Sequence, residues 1–256
     1  MEVKSHVHQA SQPVEPHPAL KQYYTDQTRR PAFIRGLFDR TAHYYDRINL
    51  LLSWGMGDWY RRHALQRAGL QPGRRVLDVA TGTGLVARQA VALTGSEDTV
   101  FGLDVSDSML AEARRTLKIH LIQGYAEQLP FADASFDFLS MGYALRHVTD
   151  LDATFREFHR VLRSRGTLLL LEISRPSSRL RHTLLSIYLG RVIPWLSRWR
   201  TSGDKEMQTL MHYYWDTIEH CVPVETILQT LAGAGFVETG CTVDCGIFRA
   251  YGGRKA

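Results

Sequence analysis

The chain has 256 residues, 44% of them hydrophobic, which suffices for one substantial core and favours a single α/β domain with an added cap over two independent folds. No apolar run reaches the roughly 20 residues that span a bilayer, and no apolar signal core follows Met1, so a cytoplasmic protein is expected. The net charge of +5 would permit a nucleic-acid partner, but the basic residues form no stripe with interleaved stacking aromatics, so none is expected.

Two segments precede the expected sheet. Residues 1–30 carry histidines, prolines and other polar groups without periodicity, so a mobile N-terminal extension is predicted. Within residues 31–70, apolar side chains recur at helical spacing and predict lid helices that cover a cofactor. The residues of this apolar stripe are Ile34, Leu37, Phe38, Ala42, Tyr45, Ile48, Leu51 and Leu52.

The most informative stretch, residues 76–84, reads Val-Leu-Asp-Val-Ala-Thr-Gly-Thr-Gly. An apolar strand there passes through an acidic residue into a glycine turn, a pattern typical of a nucleoside-cofactor site. Gly82 and Gly84 lack a Cβ atom, so the backbone can adopt tight-turn dihedrals and approach a ligand closely. Asp78 stands at the mouth of the turn, where it can accept from an ammonium or hydroxyl group. A plain strand-to-helix turn is the alternative.

Two cofactors compete for this turn. Gly82-x-Gly84-x-x-Ala87, with Asp104 twenty residues beyond Gly84, matches a dinucleotide fingerprint. S-adenosylmethionine is the better prediction, because Asp78 would repel a pyrophosphate but can accept from the ammonium group of that cofactor. Asp104 ends a second apolar strand, and a carboxylate there can accept from both ribose hydroxyls.

The strand pattern predicts an α/β fold with a doubly wound, mostly parallel sheet. Continuous apolar runs such as Leu168 to Leu171 fit strands that are covered on both faces. Two later strands, one opening at Gly235 and one over residues 246–252, can form an antiparallel hairpin that brings the sheet to seven strands. The five preceding strands are expected near residues 74–79, 99–103, 119–123, 136–141 and 166–173, with helices between them.

A basic and apolar segment follows the fifth strand. From Ser174 to Gly203 there is no Asp or Glu, while arginines punctuate an apolar series. Over residues 174–220 this predicts a substrate-cap insertion, either an ordinary pair of cap helices or a surface that accepts an isoprenoid tail or rests on anionic lipid. The residues concerned are Arg175, Arg179, Arg181, Arg191, Arg198 and Arg200, with Leu184, Leu185, Ile187, Tyr188, Leu189, Val192, Ile193, Trp195, Leu196 and Trp199.

Motifs in chain order carry a family resemblance. Residues 124–131 read Gly-Tyr-Ala-Glu-Gln-Leu-Pro-Phe, and residues 143–150 read Tyr-Ala-Leu-Arg-His-Val-Thr-Asp. Residues 38–49 contain Phe-Asp-x-x-Ala-x-x-Tyr-Asp-x-x-Asn, and residues 171–176 read Leu-Glu-Ile-Ser-Arg-Pro. With these motifs the chain resembles the ubiquinone/menaquinone C-methyltransferase family over about residues 33–253. The resemblance implies a Rossmann-like class I methyltransferase that uses S-adenosylmethionine.

The resemblance also assigns site residues within a methyltransferase domain of residues 31–256. It implies methyl transfer to an aromatic ring carbon of a prenylated quinol or quinone precursor, a small lipophilic aromatic substrate. Tyr45 would cover the sulfonium end of the cofactor, and Arg146 would lie beside the substrate ring. From the methionine part to the adenine edge, the implied cofactor-binding residues are Tyr45, Asp78, Ala80, Thr81, Gly82, Gly84, Asp104, Met109, Ala126 and Glu127.

Departures from the family pattern at two positions bear on the site. Tyr125 stands where the family usually has Asp or Asn against the adenine, and His147 replaces the usual Asn beside Arg146. Because ionising a quinol hydroxyl pushes electron density onto the ring carbon, a base and a cation are wanted together. Arg146 is predicted to stabilise the phenolate and His147 to act as the base. A purely structural histidine is the alternative for His147.

Other interpretations stay open. The acceptor could be another lipophilic small molecule, such as a polyketide, a phenol or a sterol-like compound, and a membrane-associated assembly subunit could bind the cofactor without turnover. A dehydrogenase is the remaining enzyme class. Peripheral membrane contact and a homodimer are also left open. Cys221, Cys241 and Cys245 are odd in number and not spaced like a zinc site, so no metal is predicted.

Overall fold

A computed structural model describes residues 13–53, 55–176, 178–188, 192 and 205–256. Part of the predicted N-terminal extension, residues 1–12, lies outside the described residues. For three residues of the two apolar and basic segments, Leu51, Leu52 and Arg181, the structure describes the backbone but not the side chain. Eight residues of the predicted cap insertion lie wholly outside the described residues: Leu189, Arg191, Ile193, Trp195, Leu196, Arg198, Trp199 and Arg200.

The described strands form one seven-stranded sheet in the order β3-β2-β1-β4-β5-β7-β6. Strands β1 to β5 pair in parallel, whereas β7 is antiparallel to both β5 and β6. This confirms the predicted mostly parallel sheet with an antiparallel ending. The strands are β1 (Val76–Val79), β2 (Val100–Asp104), β3 (His120–Gln123), β4 (Phe136–Gly142), β5 (Leu162–Ile173), β6 (Phe236–Asp244) and β7 (Phe248–Lys255).

Helices connect the strands and begin where the sequence supplies caps. Ser106 accepts from the amide of Met109 at 3.1 Å, and Asp150 accepts from the amide of Asp152 at 2.9 Å, so polar side chains satisfy helix starts after β2 and β4. The helices are α1 (Arg30–Leu52), α2 (Gly57–Arg67), α3 (Leu85–Thr94), α4 (Asp107–Arg114), α5 (Leu151–Val161), α6 (Arg179–Ile187), α7 (Lys205–Glu219) and α8 (Val224–Gly233).

Two layers of core cover the two faces of the sheet. Phe155 and Phe158 of α5 pack with Leu168 in one cluster, whereas Ala87 of α3 packs with Leu169 in the other. Because neighbouring residues of β5 belong to opposite clusters, this strand is buried on both sides, as a strand of a doubly wound sheet must be. The predicted Rossmann-like α/β fold is confirmed.

Strand β5 begins four residues earlier than predicted. Leu162 already pairs with Phe136, and the register then shifts before Thr167 pairs with Phe138. The shift coincides with Arg165, whose φ is 60°, so the extra residues form a bulge that periodicity alone does not reveal.

The described part of the predicted mobile extension is packed, so that prediction is wrong for residues 13–30. Leu20 and Tyr24 are buried in a cluster with residues of α1 and α7, and His17 and Arg30 are also buried. The guanidinium of Arg30 lies 2.9 Å from Nε2 of His17 and donates to the backbone carbonyl of Arg146 at 3.0 Å. These polar residues lack a sequence period because long-range contacts, and not a regular helix face, bury them.

Gly84 directly precedes α3 and lies in the left-handed region, with φ at 86°, and a Cβ there would lie 2.4 Å from Cδ1 of Leu117. We expect Gly84→Ala to reduce the free energy of unfolding by about 1–3 kcal/mol for overpacking, in addition to the backbone strain. Urea denaturation of both proteins measures the difference.

Gly95 provides a matched control at the other end of α3. Its φ is 82°, but a Cβ there would meet nothing within 4 Å. Gly95→Ala should therefore lose only the cost of the left-handed backbone, about 1–2 kcal/mol. Equal losses in the two variants would show that contact with Leu117 does not matter.

Candidate functional site

The turn between β1 and α3 is tight and is fastened to β2. Gly82 and Gly84 both have positive φ, at 56° and 86°. The amide of Thr81 donates to the carbonyl of Leu103 at 2.9 Å, which holds the turn beside the end of β2. A Cβ at Gly82 would meet only the ring of Tyr45, 3.9 Å away. The backbone at Gly82 is therefore open to a ligand on the Tyr45 side.

Asp78 lies behind this turn and not on a cavity wall. Its carboxylate is buried and accepts from the hydroxyl of Thr81 at 2.7 Å and from the hydroxyl of Ser140 at 2.6 Å. Burial raises the pKa of Asp78 to about 6. These two hydrogen bonds tie the turn to β4, and the predicted contact of Asp78 with the ammonium group of the cofactor stays a prediction.

Asp104 ends β2 and faces the turn. One carboxylate oxygen accepts from the amide of Gly82 at 2.8 Å, and the other accepts from the amide of Ser106 at 2.9 Å. Burial raises the pKa of Asp104 to about 6. An ionised carboxylate offers about four lone-pair sites, so each oxygen of Asp104 can accept one further hydrogen bond.

A first cavity opens at the carboxyl ends of β1, β2 and β4. Of the predicted cofactor residues, Asp78, Thr81 and Gly84 do not line it: Thr81 bonds Asp78, and Gly84 serves the start of α3. The predicted residues that line the first cavity are Tyr45, Ala80, Gly82, Asp104, Met109, Ala126, Glu127 and His147, joined by Ile34, Phe38, Val79, Leu103, Val105, Gly124, Tyr125, Met141, Gly142, Tyr143, Ala144 and Val148.

Helix α1 is held across this edge of the sheet by two polar contacts. Asp46 accepts from the hydroxyl of Thr83 in the turn at 2.5 Å, and Asp39 accepts from the hydroxyl of Ser106 at 2.5 Å. Tyr45, on the same helix, lines the first cavity. These contacts give α1 the position that the predicted lid requires.

The charges of the first cavity fit S-adenosylmethionine better than a dinucleotide. Among the described residues that line it there are two carboxylates, Asp104 and Glu127, and no Lys or Arg. A pyrophosphate would therefore meet like charge, whereas a sulfonium and an ammonium would be attracted. The free lone pairs of Asp104 suit two ribose hydroxyls, and Met109 and Ala126 supply apolar contacts for a purine ring.

A second cavity of about 300 Å³ adjoins the first. Tyr45 and Tyr143 line both cavities, so their side chains lie at the boundary between the two. Apolar and aromatic side chains dominate its walls, and Arg61 and Arg146 add positive charge. Its other lining residues are Asn49, Ser53, Met56, Gly57, Trp59, Tyr60, His63, Ile173, Leu185, Tyr188, Tyr214, Ile218, Asp244, Cys245, Ile247 and Phe248.

Tyr143 has a backbone conformation that is uncommon for a bulky residue. Its φ is 61°, in the left-handed region, directly after the end of β4. The amide of Tyr143 donates to the carbonyl of Leu171 at 2.6 Å, which holds this conformation. Burial raises the pKa of the Tyr143 phenol to about 12, so the group is neutral at neutral pH. With this backbone conformation, the Tyr143 phenol lies between the two cavities.

Arg146 is buried and paired with a carboxylate at the wall of the second cavity. Its guanidinium forms an ion pair with Glu172, and its Nε donates to the hydroxyl of Thr217 at 3.1 Å. Burial opposes the charge of Arg146, but Glu172 offsets this and the pKa of the guanidinium stays raised. The other oxygen of Glu172 accepts from the amide of Leu145 at 2.7 Å. Glu172 therefore orients Arg146.

His147 lies on the other side of the boundary from Arg146. Its ring lines the first cavity and stacks on Tyr213, with ring centroids 5.4 Å apart and planes at 22°. Burial, with Arg146 adding to the effect, holds the pKa of His147 well below its usual range. Neither ring nitrogen has a hydrogen-bond partner among the described residues. The structure therefore places the predicted base and the predicted cation on the walls of different cavities.

We expect His147→Asn to retain turnover with an unchanged pH profile, because the lowered pKa makes the imidazole a weak proton acceptor and His147 lines the first cavity. Removal of a general base lowers turnover by about 100-fold or more. Steady-state kinetics between pH 6 and 9 distinguish the two cases. A loss of that size, together with a lost ionisation in the profile, would restore His147 as the base.

Sequence reasoning did not select Tyr143 and Arg61 as site residues. Tyr143 begins one of the quoted motifs, and its position directly after the fourth strand was the available signal. Arg61 lies in an arginine pair on α2, and that pair alone does not show which arginine is buried. Among the described residues, no group of three or more His, Cys, Asp or Glu side chains could hold a metal ion.

Comparisons with known proteins identify the family of the chain and bear out its fold. Residues 24–251 match the model of the ubiE/COQ5 methyltransferase family. A ubiquinone/menaquinone biosynthesis C-methyltransferase UbiE from Shewanella sp. (strain W3-18-1) is 31% identical over 221 residues, which are 84% of this chain and 86% of that relative. A solved structure from Thermotoga maritima, described as a possible histamine N-methyltransferase, covers 87% of this chain and all of its own at 21% identity and a TM-score of 0.63. A Haemonchus contortus phosphoethanolamine N-methyltransferase 2 solved with S-adenosyl-L-methionine covers 86% of this chain and 59% of its own, at 18% identity and a TM-score of 0.59.

Proposed function

Because the chain belongs to the ubiE/COQ5 methyltransferase family and is an S-adenosylmethionine-dependent methyltransferase, we propose that it methylates a ring carbon of a prenylated quinol or of a quinone precursor. The relatives named as ubiquinone/menaquinone biosynthesis C-methyltransferases support this acceptor class. The observation that carries the proposal is the second cavity, which meets the first at Tyr45 and Tyr143.

The second cavity suits a flat ring with an apolar tail. The rings of Tyr60 and Phe248 pack on its wall with centroids 4.9 Å apart and planes tilted by 35°, and Ile218 and Ile247 add aliphatic surface. Such a surface favours an aromatic acceptor by apolar burial and ring contacts. Acceptors without an apolar part would gain little from these walls.

The protein contributes alignment and exclusion of water to the proposed reaction. When bound, S-adenosylmethionine supplies a methyl group that is already activated by its sulfonium. Asp104 and the Gly82 backbone would hold the cofactor, and Tyr45 and Tyr143 would define the opening through which the two reactants meet. Positioning of this kind can lower a barrier by about 7–11 kcal/mol.

We also propose that the protein is cytoplasmic and contacts a membrane peripherally. The support is the exposed apolar surface at the mouth of the second cavity. Met56 and Trp59 line the cavity and are also exposed, and Leu180 and Leu184 of α6 are exposed as well. None of the described helices is both long and apolar enough to cross a bilayer. A prenylated acceptor could therefore leave its tail in the membrane while its ring enters the cavity. The predicted homodimer stays a prediction.

A labelling experiment tests the proposed acceptor. Purified full-length protein would be incubated with methyl-labelled S-adenosylmethionine and, in separate reactions, a demethylated prenyl quinol, the same ring without its tail, and a panel of lipophilic phenols. Mass spectrometry should find one added methyl group on the prenyl quinol and a weaker reaction without the tail. Methylation of the phenols alone would move the function to another lipophilic acceptor, and cofactor binding without any product would favour a non-catalytic subunit.

A further inference from the structure

Arg61 is a buried cation on the wall of the second cavity whose polar contacts are long. The residue is 4% exposed. Its nearest acid, Asp58, is largely exposed and lies 3.4 Å from Nη1, and the side-chain oxygen of Asn49 lies 3.4 Å from Nη2. Both distances exceed those of a strong charge-assisted hydrogen bond. The Nε atom of Arg61 has no hydrogen-bond partner among the described residues.

The other charged groups of this cavity are already matched. Arg146 forms its ion pair with the buried Glu172. Asp244 accepts from both terminal nitrogens of Arg67, at 3.2 Å and 2.6 Å. Arg61 alone among these three groups combines deep burial with weak pairing. A buried charge without a good partner is costly, so such a group points to a ligand that carries negative charge.

Arg61 also lies next to the boundary between the cavities. The carbon of its guanidinium is 5.7 Å from the centre of the Tyr143 ring, and Tyr143 lines both cavities. An acceptor that meets the cofactor at this boundary must therefore pass close to Arg61. Space for the guanidinium depends on Gly57, since a Cβ there would lie 2.6 Å from Nη1 of Arg61.

We propose that Arg61 binds the ionised hydroxyl oxygen of the aromatic acceptor, while the Arg146–Glu172 pair fixes the wall of the second cavity. The inference rests on the proposed function for the identity of the acceptor. Ionisation releases the hydroxyl proton to water and leaves the negative charge on the oxygen and the ring carbons. The ring carbon then bonds to the methyl group as the carbon–sulfur bond breaks, and its hydrogen leaves to water while the oxygen regains a proton.

A chromogenic phenol tests Arg61 without requiring turnover. The probe is 4-nitrophenol with a short alkyl chain, whose absorbance reports ionisation, bound to the full-length protein with the demethylated cofactor product present. The wild-type protein should lower the pKa of the bound phenol, and Arg61→Met should reverse that shift by about one to three units. Arg61→Lys should keep part of the shift, because it retains the charge but loses the planar fork.

Three further variants separate Arg61 from its neighbours. Arg62→Met removes an exposed charge from the next position of α2 and should leave the bound-phenol pKa as in wild type. Gly57→Ala should displace the Arg61 guanidinium and weaken the shift in a protein that keeps every charge. The double variant Arg146→Met with Glu172→Leu should keep the shift.

Turnover provides the second measurement. Arg61→Met should lower methylation of the prenyl quinol by about 100-fold or more with unchanged affinity for the cofactor, as expected for loss of an interaction made in the transition state. A wild-type protein that shifts the phenol but never methylates the quinol would refute the proposed acceptor and leave Arg61 as an anion site. An equal phenol pKa in wild type and Arg61→Met, or no probe binding, would overturn the assignment of Arg61.

Discussion

Replacing Asp104 by Asn is expected to weaken S-adenosylmethionine binding by about 100-fold or more, since hydrogen bonds to a charged group contribute about 1.5–3 kcal/mol each. The carboxylate already accepts from the amides of Gly82 and Ser106, and the ribose would use its remaining lone pairs. An amide group at this position would also turn a donor toward one of those two amides. Isothermal titration calorimetry with the cofactor measures the loss directly.

Asp107 is the matched control for this substitution. It lies in the first turn of α4, three residues after Asp104, and its side chain is 72% exposed. Asp107→Asn removes the same charge and should leave cofactor affinity within about threefold of wild type, because exposed charges contribute little. A comparable loss in both variants would mean that net charge, and not the carboxylate at the end of β2, governs binding.

The buried carboxyl groups of Asp78 and Asp104 predict how cofactor affinity depends on pH. Burial raises the pKa values of Asp78 and Asp104 to about 6, above the value of 3.8 for an unperturbed group. The folded free protein thus holds protons that the unfolded chain has released, so these groups stabilise the fold at low pH and lose that contribution as pH rises through about 6. Cofactor hydroxyls and cationic groups favour the ionised form. Affinity should therefore rise from about pH 5 to pH 7.

Calorimetry in buffers with different ionisation enthalpies checks this linkage. Cofactor binding should release protons at about pH 6 and none at about pH 8. The free energy of unfolding should also respond more strongly to the cofactor at the higher pH. An affinity that is constant across this range, without proton release, would contradict the raised pKa values of both carboxyl groups.

Replacing Glu172 by Gln is expected to destabilise the protein by about 3–5 kcal/mol, because it leaves the buried charge of Arg146 without its partner. The glutamine oxygen can still accept from the amide of Leu145, so the main loss is the ion pair. Chemical denaturation of the free protein measures the change. Glu112→Gln, which breaks the exposed pair with Arg115, should cost less than about 1 kcal/mol.

A double variant separates the ion pair from the volume it occupies. Arg146→Met with Glu172→Leu replaces both charges by apolar groups of related size, and such replacements of buried pairs are often neutral or stabilising. Most of the stability lost in Glu172→Gln should therefore return. If the double variant is as unstable as the single one, packing or the hydrogen bond to Thr217 holds this wall, and not charge matching.

Local sequence signals predicted most of the sheet and the position of the cofactor turn. Continuous apolar runs mark strands buried on both faces, and the glycine turn with Asp104 marks the cofactor edge. These features depend on residues close in sequence, so a pattern of a few residues suffices to find them. The family resemblance added Tyr45, Met109, Ala126 and Glu127, all of which line the first cavity.

The features that sequence reasoning missed arise from contacts between distant segments. Tyr45, Arg61 and Tyr143 meet at one boundary only after α1, α2 and β4 have packed. Asp78 is adjacent to the turn in sequence, yet hydroxyls of Thr81 and Ser140 hold it behind the turn. Polar patterning likewise predicted that residues 13–30, as part of the N-terminal extension, are mobile. Nothing in the local sequence shows that Arg30 reaches the Arg146 carbonyl.

Carbon NMR of the product most directly tests methyl transfer to an aromatic carbon across the Tyr45–Tyr143 boundary. The purified protein would be given S-adenosylmethionine with a carbon-13 methyl group and a demethylated prenyl quinol in reduced form. The labelled carbon should appear as an aryl methyl group coupled to ring carbons. A label attached to oxygen, or no labelled product from protein that binds the cofactor, would contradict the proposed function.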